Sequence, residues 1–311
     1  MKKVLSVACA LCMTTAMLTG CGSSNNAGTA ATGEAQNSAA ASTTTEQAST
    51  ATDAGTTAGS DTLIALITMD SLDQHWVTLN EGAQKAAAEL GVTVQFMAPN
   101  TKDDAQQIEC VNNAVSAGAQ AIIVAANGPD AISSALREAS DAGVKLIYVD
   151  SPANVSAEAT FSTDNNAAGK TAGEEMKKAL ADAGVTSGSI GIINVNAATD
   201  SCVMREEGFR SAFEGTDFEL LETQYGEGDA AKSQSIAENY ITQGVVGIFG
   251  CNEGSTTGAG NAIKASGKDN VIGVGFDKSD AILGLIDDGY LLCTMAVSYT
   301  HLRAHETAAN L

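Results

Sequence analysis

The chain has 311 residues, with 16 Lys+Arg against 37 Asp+Glu and a formal net charge of −21. That balance excludes a general nucleic-acid-binding surface, which needs clustered cations to neutralise phosphates. With 44% hydrophobic residues, 31 glycines and only 3 prolines, the composition suits a core of small aliphatic side chains and excludes disorder over most of the length, which itself suggests about two domains.

In chain order, Lys2 and Lys3 precede an apolar or small run over residues 4–18, and Leu18-Thr19-Gly20-Cys21 follows at once. The run is shorter than the ~20 apolar residues a bilayer-spanning helix needs, so residues 1–20 read as a cleaved export signal. It resembles a bacterial lipoprotein signal. That resemblance implies that Cys21 becomes a lipidated N-terminus, held to the membrane by about 0.8 kcal/mol per buried CH₂ of its acyl chains. Beyond Cys21, residues 22–60 are almost wholly Ala, Thr, Ser and Gly, with no Leu, Ile, Val or aromatic residue. Such a stretch buries too little apolar area to offset its ordering entropy, so 21–60 read as a lipidated cysteine and a disordered tether.

Of the seven cysteines, Cys9 and Cys12 leave with the signal. Cys110, Cys202, Cys251 and Cys293 have neither CxxC spacing nor a histidine at zinc-site spacing, so no metal site is expected. Buried free thiols are the simplest reading, although export would permit a disulfide.

From residue 61 the chain alternates between short β-rich runs and helical stretches. Strands are predicted at Leu63–Ile67, Thr93–Met97, Ala121–Val124 and Lys145–Val149. Between them helices run over 76–90 to Gly91, through Ile108, Val111 and Val115 to Gly118, and around Ile132 and Leu136 to Gly143. Near-continuous apolar strands separated by helices imply a parallel sheet covered on both faces. A second series follows Phe161, with strands near 189–195, 218–223, 246–249, 271–276 and 291–295. The expected fold is therefore α/β, with two doubly wound parallel-sheet lobes joined by a hinge: lobe one over 61–163 and lobe two over 164–297. Ligands of such sheets sit beyond the carboxyl ends of the strands. The polar residues there are Asp70, Asp73, Asn127, Asp150, Asp164, Asn194, Asn196, Asn252 and Asp277, which an inter-lobe cleft would gather.

Enzyme motifs fail when read residue by residue. Gly169-Lys170-Thr171 looks like the end of a phosphate loop, but Asp164 stands where its first glycine belongs. Gly273-Val274-Gly275 follows a strand, yet Lys278 occupies the third glycine position of a dinucleotide fingerprint. His305-Glu306 is followed by Ala309 and not by a second histidine, and no serine elbow is present. No catalytic residue and no cofactor are expected. A cleft rich in Asp and Asn, with one Trp and one Arg, suits a neutral polyhydroxylated ligand: amides and carboxylates serve its hydroxyls, and an aromatic face packs on its C–H face.

The stretch 61–296 resembles the periplasmic sugar-binding proteins of the ribose-binding class, the substrate-binding subunits of ABC importers. The run Leu66-Ile67-Thr68-Met69-Asp70-Ser71-Leu72-Asp73-Gln74-His75-Trp76-Val77 is similar to that family's first strand and turn. The likeness implies that Asp73 bonds a ligand hydroxyl and that His75 and Trp76 stack on a ring, with a core anchor as the alternative for Trp76. Val149-Asp150-Ser151 matches a strand end that usually carries Asp-Arg, so Asp150 carries over and the arginine does not. Arg205-Glu206-Glu207-Gly208-Phe209 matches an Arg-x-x-Gly-Phe motif whose arginine reaches the sugar, although pairing with Glu206 or Glu207 would also explain it. Phe249-Gly250-Cys251-Asn252-Glu253 and Val274-Gly275-Phe276-Asp277 bring in Asn252 and Asp277, the latter with a helix cap as its alternative. Asn127 lies in a loop where the family also places an amide. Asp164 reads as a helix cap near the hinge. The aromatic that the family has near Gly228 is missing, which leaves one ring face less covered.

The resemblance implies an extracytoplasmic lipoprotein on the outer face of the cytoplasmic membrane. It would capture a monosaccharide or related polyol as a monomer and deliver it to an ABC permease. The alternative is a sensor of a sugar or signal molecule that docks on a membrane receptor. Regulators of the LacI type share this effector-binding fold but begin with a helix-turn-helix, where this chain has an acidic tether. Residues 298–311, beginning Ser298-Tyr299-Thr300-His301-Leu302-Arg303, resemble translated sequencing adapter, so they are expected to be a non-native tail, with a closing C-terminal part of lobe one missing.

Overall fold

The structure, a computed structural model, describes residues 62–296. The export signal, Cys21, the tether and the tail 298–311 lie outside the described residues. Lobe one contains β1 (Leu63–Ile67), α1 (Gln74–Leu90), β2 (Thr93–Met97), α2 (Asp104–Ser116), β3 (Ala121–Val124), α3 (Ser133–Asp141), β4 (Lys145–Val149) and β5 (Ala159–Phe161). Its strands form one parallel sheet in the order β2-β1-β3-β4-β5.

Lobe two follows with α4 (Asn165–Asp182), β6 (Ser187–Asn194), α5 (Asp200–Ala212), β7 (Asp217–Leu220), β8 (Gln224–Tyr225), α6 (Ala230–Gln243), β9 (Gly247–Gly250), α7 (Glu253–Ser266), β10 (Ile272–Phe276), α8 (Asp280–Asp287) and β11 (Cys293–Met295). Its sheet is also parallel, ordered β11-β10-β9-β6-β7 with β8 on β6 as well. Among the described residues, no helix is long and apolar enough to cross a membrane.

Local chemistry accounts for most boundaries. Asp73, Asp103, Asp164, Asp229, Asn252 and Ser279 each accept a first-turn N–H with the side chain, satisfying donors that a helix start leaves orphaned. Gly91 closes α1 in the left-handed region at φ 69°, where a Cβ would be penalised. The sheets are buried between helical layers. In lobe one, Ile67, Ile122 and Val124 pack with Val111 and Leu136 on one face, while Met69, Trp76 and Val149 pack on the other. In lobe two, Met176, Phe209 and Phe249 lie on one side and Tyr240, Ile248 and Ile263 on the other.

Three elements differ from expectation. β5 is a three-residue strand that the alternating pattern does not reveal, because its pairing with β4 is a long-range matter. The run 218–223 is strand only to Leu220, in β7, and β8 begins just after it, each of the two paired with a different part of β6. The last strand starts at Cys293 because Leu291 is buried with Ile282 and Leu285 of α8.

One glycine pair positions Arg205. A Cβ at Gly169 would land on the carbonyl oxygen of Arg205, and one at Gly208 on the carbonyl oxygen of Asn166. The two glycines let α4 and α5 approach to backbone contact. The phosphate-loop look-alike at Gly169-Lys170-Thr171 is thus the middle of a helix.

Candidate functional site

β1 delivers the first group of site residues. Past its carboxyl end, Asp70 Oδ1 accepts from the backbone N–H groups of Leu72 and Asp73, both at 2.8 Å, which folds the chain back into α1. Asp73 caps that helix by accepting from the His75 N–H at 3.0 Å. The cap orients the first turn so that His75 and Trp76 are buried, with ring centroids 4.4 Å apart in an edge-to-face arrangement. Trp76 is the core anchor that the sequence allowed, packing with Met69, Ala125 and Val149, and it also lines the cavity.

Two aspartates, one from each lobe, face each other across the cleft. Asp150 follows β4 and Asp277 follows β10, and both adopt left-handed backbone, at φ 62° and 72°. Asp tolerates this region better than most residues, but it still costs on the order of 1 kcal/mol, so the sequence holds strain at both strand ends. Arg205 stands between them, with Nη2 3.5 Å from Asp150 Oδ1 and Nη1 3.8 Å from Asp277 Oδ2. Its Nε donates to Asn165 Oδ1 at 2.9 Å and its Nη1 to the Cys251 carbonyl at 3.0 Å, and the guanidinium lies over the Phe276 ring. Pairing with Glu206 does not occur, because Glu206 is held by Arg210 at 2.8 Å. His75 adds its ring 3.8 Å from Asp150 and 4.0 Å from Asp277.

Burial and charge set the ionisation of the group. Burial pushes the Asp277 carboxyl up, helped by Asp73 and Asp150 and opposed by Arg205 and His75. Burial also works against the Arg205 charge, yet Asp277 and its other anionic neighbours more than compensate, so the guanidinium is held above its ordinary value. Lys102 behaves alike: desolvation disfavours its charge, and Asp73 and Asp70 outweigh it. It contacts Asp70 directly and Asp73 at 3.5 Å. Burial raises Asp73, but Lys102, a hydrogen bond to the Glu253 carboxyl and His75 bring it below its usual range. The Glu253 proton is retained up to about 8, through burial and then through Asp73. Burial pushes Cys202 up to about 11 and Cys251 well above a normal thiol. Both are inert thiols, and all four cysteines in the described residues are free.

Asp73, His75, Trp76, Asp150, Arg205, Asn252 and Asp277 converge on one small cavity of about 20 Å³, room for about one water molecule. Several of their polar atoms are buried without a hydrogen-bond partner: Trp76 Nε1, Asn252 Nδ2 and Asp277 Oδ1. Asn252 spends its Oδ1 on capping α7, accepting from Ser255, and keeps its N–H₂ for the cavity. Asp277 does not cap α8, which Ser279 does; its Oδ2 accepts from the Glu253 N–H and its Oδ1 is left for the cleft.

Asn127 lies apart from these residues. It does not line this cavity, because its Nδ2 donates to Asp104 Oδ1 at 2.6 Å and its Oδ1 accepts from Asn196 at 3.4 Å. Its backbone carbonyl accepts from Thr199 at 2.8 Å, so it joins the lobes. Asn194 is likewise occupied, by Glu206 and the Cys202 carbonyl, and Asp164 is the α4 cap it was expected to be.

Lys102, Ser201 and Glu253 were missed. Lys102 follows β2, a strand whose carboxyl end the strand-end rule could have included. Ser201, which donates to Asp150 at 3.0 Å, sits in the first turn of α5 with no signal in its neighbours.

Residues 64–304 match the family described as periplasmic binding protein domain. The ribose import binding protein RbsB of Haemophilus influenzae is 29% identical over 243 residues, covering 77% of this chain and 80% of that protein. A D-apiose import binding protein of Actinobacillus succinogenes is 27% identical, covering 71% of each. Among solved structures, an ABC transporter solute-binding protein from Agrobacterium vitis with bound D-fucose superposes with a TM-score of 0.71 at 28% identity, over 75% of this chain and 82% of that one. A carbohydrate transporter solute-binding protein from Agrobacterium radiobacter with D-arabinose gives 0.71 at 27%, over 75% and 81%. Fold, family match and relatives agree, and the chain belongs to the periplasmic binding proteins, in their ribose-binding class of sugar-binding proteins.

Proposed function

We propose that this protein captures a neutral sugar ring between its two lobes and hands it to an ABC importer permease, acting as a binding protein and not as an enzyme. The observation that carries the reading is the set of buried, unpartnered polar atoms contributed from both sides of one cavity. Trp76 Nε1 comes from lobe one, and Asn252 Nδ2 and Asp277 Oδ1 come from lobe two. Two donors and one acceptor of this kind are costly to leave unmade, and ring hydroxyls satisfy both types. Asp73 and Asp150 add acceptors from lobe one. Closure around the ring would then be driven by contacts that exist only when both lobes touch it.

The reading extends to Cys21 as a lipid anchor on the outer face of the cytoplasmic membrane, with the monomer as the working unit. Thermal-shift titration with D-ribose, D-xylose, D-glucose, D-galactose and D-fucose tests capture; a flat melting temperature across all of them rejects it. Fractionation of cells expressing Cys21→Ser should find the protein released from membranes, and retention there rejects the anchor. A sensor role is the second reading. It is favoured by the likeness to a XylFII–LytSN complex, with a TM-score of 0.69 at 25% identity, in which a protein of this fold is seated with a partner. Co-purification with a permease would argue against it.

A further inference from the structure

Glu253 opens α7 in lobe two, yet its carboxyl belongs to a contact with lobe one. Its N–H donates to Asp277 Oδ2 at 2.9 Å, which anchors the residue on its own side of the cleft. From there the carboxyl reaches the Asp73 carboxyl, with which it shares a hydrogen bond, and the first turn of α1, where the His75 N–H faces it. Glu253 Oε2 is buried. Two carboxyl groups in direct contact across a lobe boundary cannot both be ionised, so the contact exists only with a proton in it.

The surroundings decide which partner carries that proton. Asp73 has Lys102 Nζ at 3.5 Å and accepts from the His75 N–H at 3.0 Å, so it stays the anion, below its ordinary range. Glu253 faces the Asp73 and Asp277 carboxylates, which add to burial in pushing it up to about 8. Asp70 acts on the pair through Lys102, which it contacts, and the His75 ring lies between Asp150 and Asp277. A cavity of about 340 Å³ beside the inner one has both Asp73 and Glu253 in its wall, together with Glu227 and Asp229 of the turn before α6. The pair thus has a route by which its proton exchanges with water, and its acidic neighbours favour keeping that proton.

We propose that a proton shared by Glu253 and Asp73 latches the lobes together, so that closing the cleft takes one proton from water and opening it returns that proton. Opening separates the two carboxyl groups, and Glu253 then ionises as an ordinary glutamate does. The free protein is therefore weighted toward the closed form in mild acid and toward the open form in mild alkali. The latch acts on the equilibrium between these forms and needs no ligand, so it stands or falls apart from sugar capture.

Small-angle scattering of the ligand-free full chain at about pH 5.5 and about pH 8.5, under conditions where its circular dichroism is unchanged, tests the latch. The radius of gyration should be larger at the higher pH. Acrylamide quenching of Trp76, the one tryptophan in the chain and a wall of the inner cavity, should be at least about two-fold stronger there. Glu253→Gln keeps a donor toward Asp73 at every pH and should stay compact at both. Glu253→Ala has neither donor nor charge and should be expanded at both, which serves if the glutamine variant does not fold. A native protein with the same radius and quenching at both pH values overturns the latch. So does a pH response that persists in the Glu253 variants, which assigns it to His75, a residue type that ordinarily titrates near neutrality.

Discussion

Asp277 is the residue in which sequence position, backbone and chemistry meet. Its left-handed φ turns the carboxylate away from β10 and into the cleft, where Oδ2 accepts from the Glu253 N–H at 2.9 Å and Oδ1 is free of hydrogen bonds. Asp277→Ala should weaken sugar binding by roughly 2–4 kcal/mol, since it leaves ligand donors unpaired, with little loss of melting temperature; unchanged affinity would remove the residue from the site. Glu253 carries a pH dependence with a definite sign. Its ordinary value is 4.5 and its folded value is about 8, so the folded protein holds a proton that the unfolded chain has given up. The associated stability is complete below pH 4.5 and is lost as pH rises toward and through 8. Melting temperature should therefore fall between pH 5 and 8.5, and in Glu253→Gln the slope over that window should flatten. An identical slope in the variant assigns the dependence elsewhere. Asp73 runs the opposite way, because its folded value lies below 3.8, and its contribution disappears only in stronger acid.

At the scale of elements, the packing of α4 on α5 fixes Arg205. Gly208 sits where a Cβ would meet the Asn166 carbonyl oxygen and the Lys170 backbone, and neither can move without shifting a helix. Gly208→Ala should cost about 1–3 kcal/mol of stability by overpacking and should also weaken sugar binding, because the displaced α5 carries Arg205. Gly82 is the contrasting case: it lies in the middle of α1 with open space around it. Gly82→Ala should stabilise the protein by about 0.5–1 kcal/mol through helix propensity alone. Denaturant melts of the two variants and one binding titration read both outcomes, and equal effects of the two alanines would refute the packing account.

At the scale of the whole molecule, the lobes meet through direct side-chain contacts. Ser151 Oγ donates to Ser201 Oγ at 2.7 Å, Thr199 Oγ1 donates to the Asn127 carbonyl at 2.8 Å, and Arg205 bridges both aspartates. These bonds stabilise the closed arrangement, and a cavity of about 20 Å³ does not admit a ring until they break. Opening must therefore precede binding. Small-angle scattering should show a larger radius of gyration for the free protein than for the protein saturated with its tightest sugar, and Ser201→Ala together with Thr199→Ala should enlarge the free protein further. A radius that does not respond to a tight ligand would refute hinge closure.

The sequence alone determined the repeating strand–helix order, the two-lobe plan and the residues that end each strand, because hydrophobic period and glycine stops are local properties. Asp73, Asp150, Arg205, Asn252 and Asp277 were legible for the same reason, each lying at a strand end or in a motif of fixed spacing. Which of those ends keeps an unpartnered polar atom was not legible. Asn127 and Asp277 are both polar residues after a parallel strand, yet one is consumed by Asp104, Asn196 and Thr199 while the other keeps an oxygen for the cleft, a difference made by partners far away in sequence. Lys102, Ser201 and Glu253 enter the site only because the lobes bring β2, α5 and α7 together. Tertiary structure also decided that Gly169 is a packing glycine and not part of a phosphate loop, since its neighbour is Arg205, 36 residues along the chain. A side chain's chemistry is written in its own residue, but its availability depends on what the fold places within hydrogen-bonding distance.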